Sequence, residues 1–243
     1  METTTLGQTG LTVSRLGFGG APAGLTNYLD PYSPDDCDQR RLVIEAIEVA
    51  LDLGITYFDT AADYGDGASE QIYGEALDGI EDGIVLATKI SNRMALRASI
   101  ERSLRHLRRD CVDIIQFHGD VFNREDADQI LAPGGSLEQA LALRDEGLVR
   151  FIGFTSEAHN GAVERLIMDG RFDTIQVAYN LLHQHAYEPT RPFGNLFDAE
   201  TADMGIITMR SLTSGLFQKW VRLANPANDF DYTSALLQFV LSN

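Results

Sequence analysis

At 243 residues with 44% hydrophobic side chains, the chain is long enough for one large α/β domain or two small ones and can bury a sizeable core. Its 19 basic and 36 acidic residues give a net charge of −17, which repels a phosphate backbone and argues against a nucleic-acid partner. Cys37 and Cys111 lack metal-ligand spacing, which speaks against a disulfide framework or a cysteine zinc site, and no apolar run reaches the roughly 18 residues of a membrane span, so a soluble, cytoplasmic protein without membrane partners is expected.

Residues 3–13 alternate around Gly7-Gln8-Thr9-Gly10, a hairpin pattern. A short apolar strand over 15–18 follows and ends in Gly19-Gly20. Residues 21–37 are rich in Pro, Gly, Asn and Asp and read as a long loop, of a length that is usually functional. Over 38–53 the apolar positions Leu42, Val43, Ala46, Ile47, Ala50 and Leu51 recur at helical spacing, with Gly54 as the stop. The β-branched and aromatic run Ile55-Thr56-Tyr57-Phe58 then ends in Asp59, and five residues later Tyr64 stands on a loop.

The alternation continues with a helix over 70–77, a strand over 84–88 ending at Lys89, a helix over 96–107, and a strand over 112–117 ending at His118. Next come a helix over 137–146, a strand over 149–154, a helix over 161–168 and a strand over 174–178. A polar loop with a helix near 196–202, a strand over 205–209 and a helix over 234–241 complete the pattern. Seven strands each followed by a helix, with no compositional break, predict one parallel α/β domain over 1–243. Runs such as VDIIQF and GIITM suit strands buried on both faces.

An open doubly wound sheet and a closed (β/α)8 barrel share this alternation. No G-x-G-x-x-G follows the first strand, which weakens the open dinucleotide-binding sheet. Asp59, Lys89, His118, Thr155, Gln176 and Arg210 stand at the C-terminal ends of successive strands, where a barrel builds its active site, so the (β/α)8 barrel is expected. Each of Asp59, Lys89 and His118 alone has an ordinary structural reading. Placed together at one barrel mouth, they acquire a chemical one. A phenol with a pKa near ~10 exchanges its proton poorly at neutral pH, and a neighbouring ammonium lowers that value. Lys89 is placed to act on Tyr64 in this way, Asp59 to keep the buried lysine charged, and His118 to orient a substrate oxygen or relay the proton.

The segments LGFGG, YFDTAADYGDGASEQIYGEAL, IVLATK, DIIQFHGD, LALRDEGLVRFIGFTS and IQVAYNLL, in order between about Leu11 and Asn243, resemble the aldo-keto reductase family. The resemblance implies a (β/α)8 TIM barrel that binds a nicotinamide cofactor, with Asp59, Tyr64, Lys89 and His118 as a catalytic tetrad in which Tyr64 is the general acid. It implies carboxamide contacts from Thr155, Ser156 and Gln176, with Gly20 near the nicotinamide ribose. Arg210 and the backbone of Leu212, Ser214, Gly215 and Leu216 would meet the pyrophosphate. Met209 stands where many members stack an aromatic ring on the nicotinamide, and reads equally as a core residue.

The implied activity is hydride transfer between NADP and a carbonyl or alcohol substrate, as in a carbonyl reductase or alcohol dehydrogenase. A sugar dehydrogenase or redox epimerase on the same site, or a cofactor-sensing regulatory subunit, are the alternatives. The segment that separates NADP from NAD in the family falls beyond Asn243, as do the eighth strand and its helix, so a C-terminally incomplete barrel is expected. Substrate and oligomeric state stay open. Late loops over 215–232 are short for the family.

Arg102, Arg105, Arg108 and Arg109 lie opposite the apolar face of Ile100, Leu104 and Leu107 and read as a solvated basic face. His183 and His185 invite a metal, but no carboxylate or cysteine stands at ligand spacing, and none is expected. Trp220, Phe193 and Phe197 either line an apolar substrate pocket or pack locally. Asp63 and Asp66 read as loop residues outside the catalytic set.

Overall fold

A computed structural model describes residues 1–28, 30–91, 93–119, 121–186 and 194–242. Two short strands, β1 (Thr3–Thr5) and β2 (Thr12–Ser14), form an antiparallel hairpin with Thr3 opposite Ser14. The connection is a 3-10 turn over Gly7–Thr9, and Gly7 and Gly10 both take positive φ, 48° and 67°, as the glycine spacing predicts. Strands β3 (Gly17–Gly19), β4 (Tyr57–Asp59), β5 (Val85–Ile90), β6 (Val112–Phe117), β7 (Val149–Ser156), β8 (Thr174–Ala178) and β9 (Gly205–Met209) form the main sheet.

Each strand pairs in parallel with the next in sequence, so strand order equals chain order across all seven strands. A doubly wound sheet reverses its order at a switch point, whereas a singly wound (β/α)8 barrel does not. The sheet is therefore the curled wall of a (β/α)8 barrel, with β3 and β9 as its two edge strands.

Helices cross between the strands: α1 (Ala21–Gly24), α2 (Cys37–Asp52), α3 (Ala68–Ala76), α4 (Leu96–Leu107), α5 (Arg124–Leu131), α6 (Ser136–Asp145), α7 (Gly161–Met168), α8 (Asn195–Thr201), α9 (Leu216–Ala224) and α10 (Thr233–Leu241). The loop expected over 21–37 opens with the short α1, nucleated by a proline in its first turn. The sequence reading also lacks α5 and α9. Helix α5 buries only Ala127 and Ile130, too few for a visible apolar stripe, and its signal is the Asn123/Asp126 capping box. Helix α9 occupies part of the stretch expected as short loops; none of its residues is buried, and Trp220 is 53% exposed.

Two apolar layers hold the wall. The larger lies between sheet and helices and includes Ile47, Phe58, Ile72, Leu86, Ile115 and Phe154. The smaller lies inside the barrel, where Leu6, Leu11 and Val13 of the hairpin close over Tyr57, Val85, Ala87 and Ile114. The hairpin thus seals the N-terminal end of the barrel. Because strand side chains alternate faces, the inner-face positions two residues beyond Tyr57, Ala87 and Ile114 are Asp59, Lys89 and Gln116. The barrel interior changes from apolar to polar along its axis, which places polar chemistry at the C-terminal mouth. Among the described residues no helix is long and apolar enough to cross a membrane.

Candidate active site

Asp59 ends β4, and its chain continues across the top of β5 through Thr60 N to Ala87 O at 2.9 Å and Ala62 N to Lys89 O at 3.3 Å. These bonds fix the loop that carries Tyr64. Its base is docked further by two glycines: a Cβ on Gly24 would lie 2.4 Å from Tyr64 O, and one on Gly65, where φ is +65°, would lie 2.1 Å from Gly24 O. Only glycine allows so close an approach at that φ.

Helix α3 then ties the strand tops together with buried polar side chains. Ser69 Oγ donates to Gly20 O at 2.8 Å and shares a hydrogen bond with Thr60 Oγ1 at 2.7 Å, while Thr88 Oγ1 donates to Glu70 Oε1 at 2.6 Å. Asp63 and Asp66 do structural work, as expected: Ser91 Oγ donates to Asp63 Oδ1 at 2.6 Å, and Asp66 pairs with Arg102 at 3.0 Å. Arg102 also donates to Ala62 O at 3.2 Å, so it tethers the Tyr64 loop and is more than the solvated face its spacing suggests.

At the centre, Lys89 Nζ donates to Asp59 Oδ2 at 2.6 Å and to Thr60 O at 2.7 Å. The ammonium lies 4.9 Å from the centroid of the Tyr64 ring. The Tyr64 and His118 rings meet edge to face at 5.6 Å and 80°. The four side chains expected to act together are therefore in one place. Burial pulls the Lys89 pKa down, but the Asp59 carboxylate and Tyr64 outweigh it, and the lysine sits above its ordinary value. Burial pushes the Tyr64 phenol up and Lys89 pulls it down. Here burial wins, so Tyr64 lies above its ordinary value, where the sequence alone suggested a net lowering.

Two glutamines complete the shell of Asp59. Gln116 Nε2 donates to Oδ1 at 3.0 Å and Gln176 Nε2 to Oδ2 at 3.4 Å. Gln116 escaped the sequence reading, although a polar residue inside the apolar run VDIIQF, two positions before His118, marks an inner-face site.

The residues expected to hold a cofactor line the same mouth. Gln176 is buried and its Oε1 has no hydrogen-bond partner, an open acceptor suited to a carboxamide N–H. Thr155 Oγ1 is engaged with the Gly119 backbone, accepting from its N at 3.0 Å and donating to its O at 2.9 Å. Ser156 Oγ likewise closes a turn on Ala158. Gly20 accepts no side chain at its Cα, since a Cβ would lie 2.6 Å from Ser69 Oγ, and its amide donates to Asp59 O at 2.7 Å.

Met209 ends β9 half-buried. After it, Arg210, Thr213, Ser214 and Gly215 take left-handed φ of 59°, 58°, 51° and 74°, with Leu212 between them, and Leu216 opens α9. The turn closes largely on itself before α9: Thr213 N donates to Arg210 O at 2.7 Å, Gly215 N to Leu212 O at 3.0 Å, Leu216 N to Thr213 O, and Phe217 N to Thr213 Oγ1 at 3.1 Å. The Arg210 side chain pairs with Glu157 on the loop after β7. Phe197 lies on α8, whereas Phe193 is outside the described residues. Rings of His159 and His185 meet at 4.5 Å, and His183 lies 6.0 Å from His185. Among the described residues no group of three or more His, Cys, Asp and Glu is arranged to hold a metal ion.

The chain is similar to known proteins over most of its length. Aldo-keto reductase YhdN of Bacillus subtilis is 30% identical over 239 residues, covering 90% of this chain and 66% of that protein. The chain spans between 48% and 66% of the length of the first curated relatives it matches. Aldo-keto reductase AKR11C1 from Bacillus halodurans, in its holo form, superposes with a TM-score of 0.74 at 25% identity, covering 100% of this chain and 83% of that one. An aldo-keto reductase from Klebsiella pneumoniae in complex with NADPH shares the fold with a TM-score of 0.67 at 24% identity, covering 93% of this chain and 77% of that one. The model of the aldo/keto reductase family matches residues 15–241, and with the barrel topology in agreement the chain belongs to that family.

Proposed function

We propose that the chain is an NADP-dependent oxidoreductase that interconverts a small aldehyde or ketone and its alcohol, with Tyr64 giving the proton to the carbonyl oxygen. NADPH, when bound, would supply the hydride for reduction, and NADP⁺ would accept it for oxidation. The observation that carries this reading is the buried Asp59–Lys89 pair beside the Tyr64 ring. When Tyr64 releases its proton, the phenolate forms next to an ammonium that Asp59 keeps charged, so the charge left behind is offset in place. His118, edge-on to the same ring, is positioned to donate a hydrogen bond to the carbonyl oxygen and turn it toward Tyr64.

The cofactor assignment draws on family membership and on how the residues fit. The unpartnered acceptor on Gln176 suits the nicotinamide amide, and family membership assigns Arg210 and the turn over Leu212, Ser214, Gly215 and Leu216 to the pyrophosphate. Thr155 and Ser156 take part through the backbone turns they brace. Arg210 would exchange Glu157 for a phosphate oxygen. NADPH oxidation by the purified chain, followed over a panel of aldehydes, ketones and sugar lactols, tests the reading. Turnover dependent on one of these classes is expected. Tight NADPH binding with a rate equal to buffer across the whole panel would overturn it in favour of a cofactor sensor.

A further inference from the structure

Asp59 has two carboxylate oxygens, and donors from two different strands divide them. Lys89 holds Oδ2 at 2.6 Å and Gln116 holds Oδ1 at 3.0 Å, while Gln176 reaches Oδ2 only at 3.4 Å. Lys89 and Gln116 are partners in the β5–β6 register, so both donors rise from the same level of the wall. Gln116 is 0% exposed. Its amide is orientable in only one sense, since the reversed amide would set a carbonyl oxygen against a carboxylate. The cost of this arrangement is visible in the same side chain: Gln116 Oε1 is buried without a hydrogen-bond partner. A methionine of similar volume would avoid that orphan, so the glutamine is better explained by what its amide does for Asp59 than by packing.

We propose that Gln116 is a positioning residue of the active site, locking the rotation of the Asp59 carboxylate so that Lys89 is held against Tyr64. The inference rests on the function proposed above. With the lock in place, one carboxylate oxygen is committed to Lys89 and the ammonium stays at its distance from the phenol. Without it, the carboxylate turns, Lys89 follows, and the phenolate loses part of its compensation.

Two variants test this. Gln116→Met keeps the volume and removes the donor. Its kcat is expected to fall about tenfold, the loss of one such hydrogen bond, with the KM for NADPH within about twofold and the alkaline limb of the kcat–pH profile moved upward. Gln116→Glu keeps the shape: protonated, its O–H donates to Asp59 Oδ1, and ionised, it repels that oxygen. Turnover in the Glu variant is expected to persist at acid pH and to vanish as pH rises. A folded Met variant, judged by NADPH fluorescence titration, with the wild-type kcat and pH profile would overturn the proposal. Should the Met variant fail to bind NADPH, a Glu variant with the wild-type profile would overturn it alone. Wild-type protein that oxidises no NADPH on any carbonyl would overturn the function and this inference together, whereas an active wild type with unchanged variants would overturn only the inference.

Discussion

Lys89 Nζ sits 2.6 Å from Asp59 Oδ2 on the adjacent strand, and the two side chains are only 1% and 9% exposed. Each charge is tolerable there because the other is present. Removing one partner of such a pair leaves a buried, uncompensated charge, at a cost of about 3–5 kcal/mol. Lys89→Met is therefore expected to lose stability of that order in chemical denaturation, along with turnover. The double variant Asp59→Asn with Lys89→Met should recover much of the stability and none of the turnover. Additive losses in the double variant would show that the pair is not coupled.

Gly65 is the hinge on which the Tyr64 loop rests. Its φ of +65° and the 2.1 Å that would separate a Cβ from Gly24 O leave no room for a side chain. Gly65→Ala is expected to destabilise by roughly 1–3 kcal/mol through overpacking and to lower kcat more than it raises the KM for NADPH, because the displaced group is the phenol. Parallel melting curves and steady-state kinetics check both. An unchanged kcat would mean that Tyr64 does not depend on this contact.

His159 gives a pH signature away from the reacting atoms. Burial and the neighbouring His185 hold its pKa at about 4, against 6.5 for a free histidine. The unfolded chain then binds this proton more readily than the folded one, so stability is lost as pH falls from about 6.5 toward about 4 and is indifferent to His159 above that window. In His159→Phe, which keeps the ring volume, the melting temperature should fall less steeply than in the wild type through this interval. Parallel pH curves would contradict the burial of a neutral imidazole.

The meeting of Asp59, Lys89 and His118 was legible in the sequence because they stand at the C-terminal ends of consecutive strands, and parallel strands in chain order bring such ends together. Tyr64 followed from its place on the loop above Asp59. Gln116 did not stand out, because one polar letter in an apolar strand has no local partner to betray it, and its meaning appears only when Asp59 is seen 3.0 Å away across two strands. The Glu157–Arg210 pair joins residues 53 apart on different loops, beyond the reach of periodicity. Helix α9 was legible but passed over: Leu216, Phe217, Trp220, Val221 and Ala224 recur at helical spacing, although none of its residues is buried. The upward shift of Tyr64 depends on how deeply the loop is buried, a tertiary property.

The central claim is that Tyr64 delivers the proton, and Tyr64→Phe tests it most directly by removing one oxygen beside Lys89 while leaving the ring against His118. NADPH affinity by fluorescence titration should stay within about threefold of the wild type, while kcat on the best carbonyl substrate should fall by at least the ~10²–10⁴-fold that general acid catalysis contributes. A Tyr64→Phe protein that binds NADPH and turns over at the wild-type rate would contradict the account.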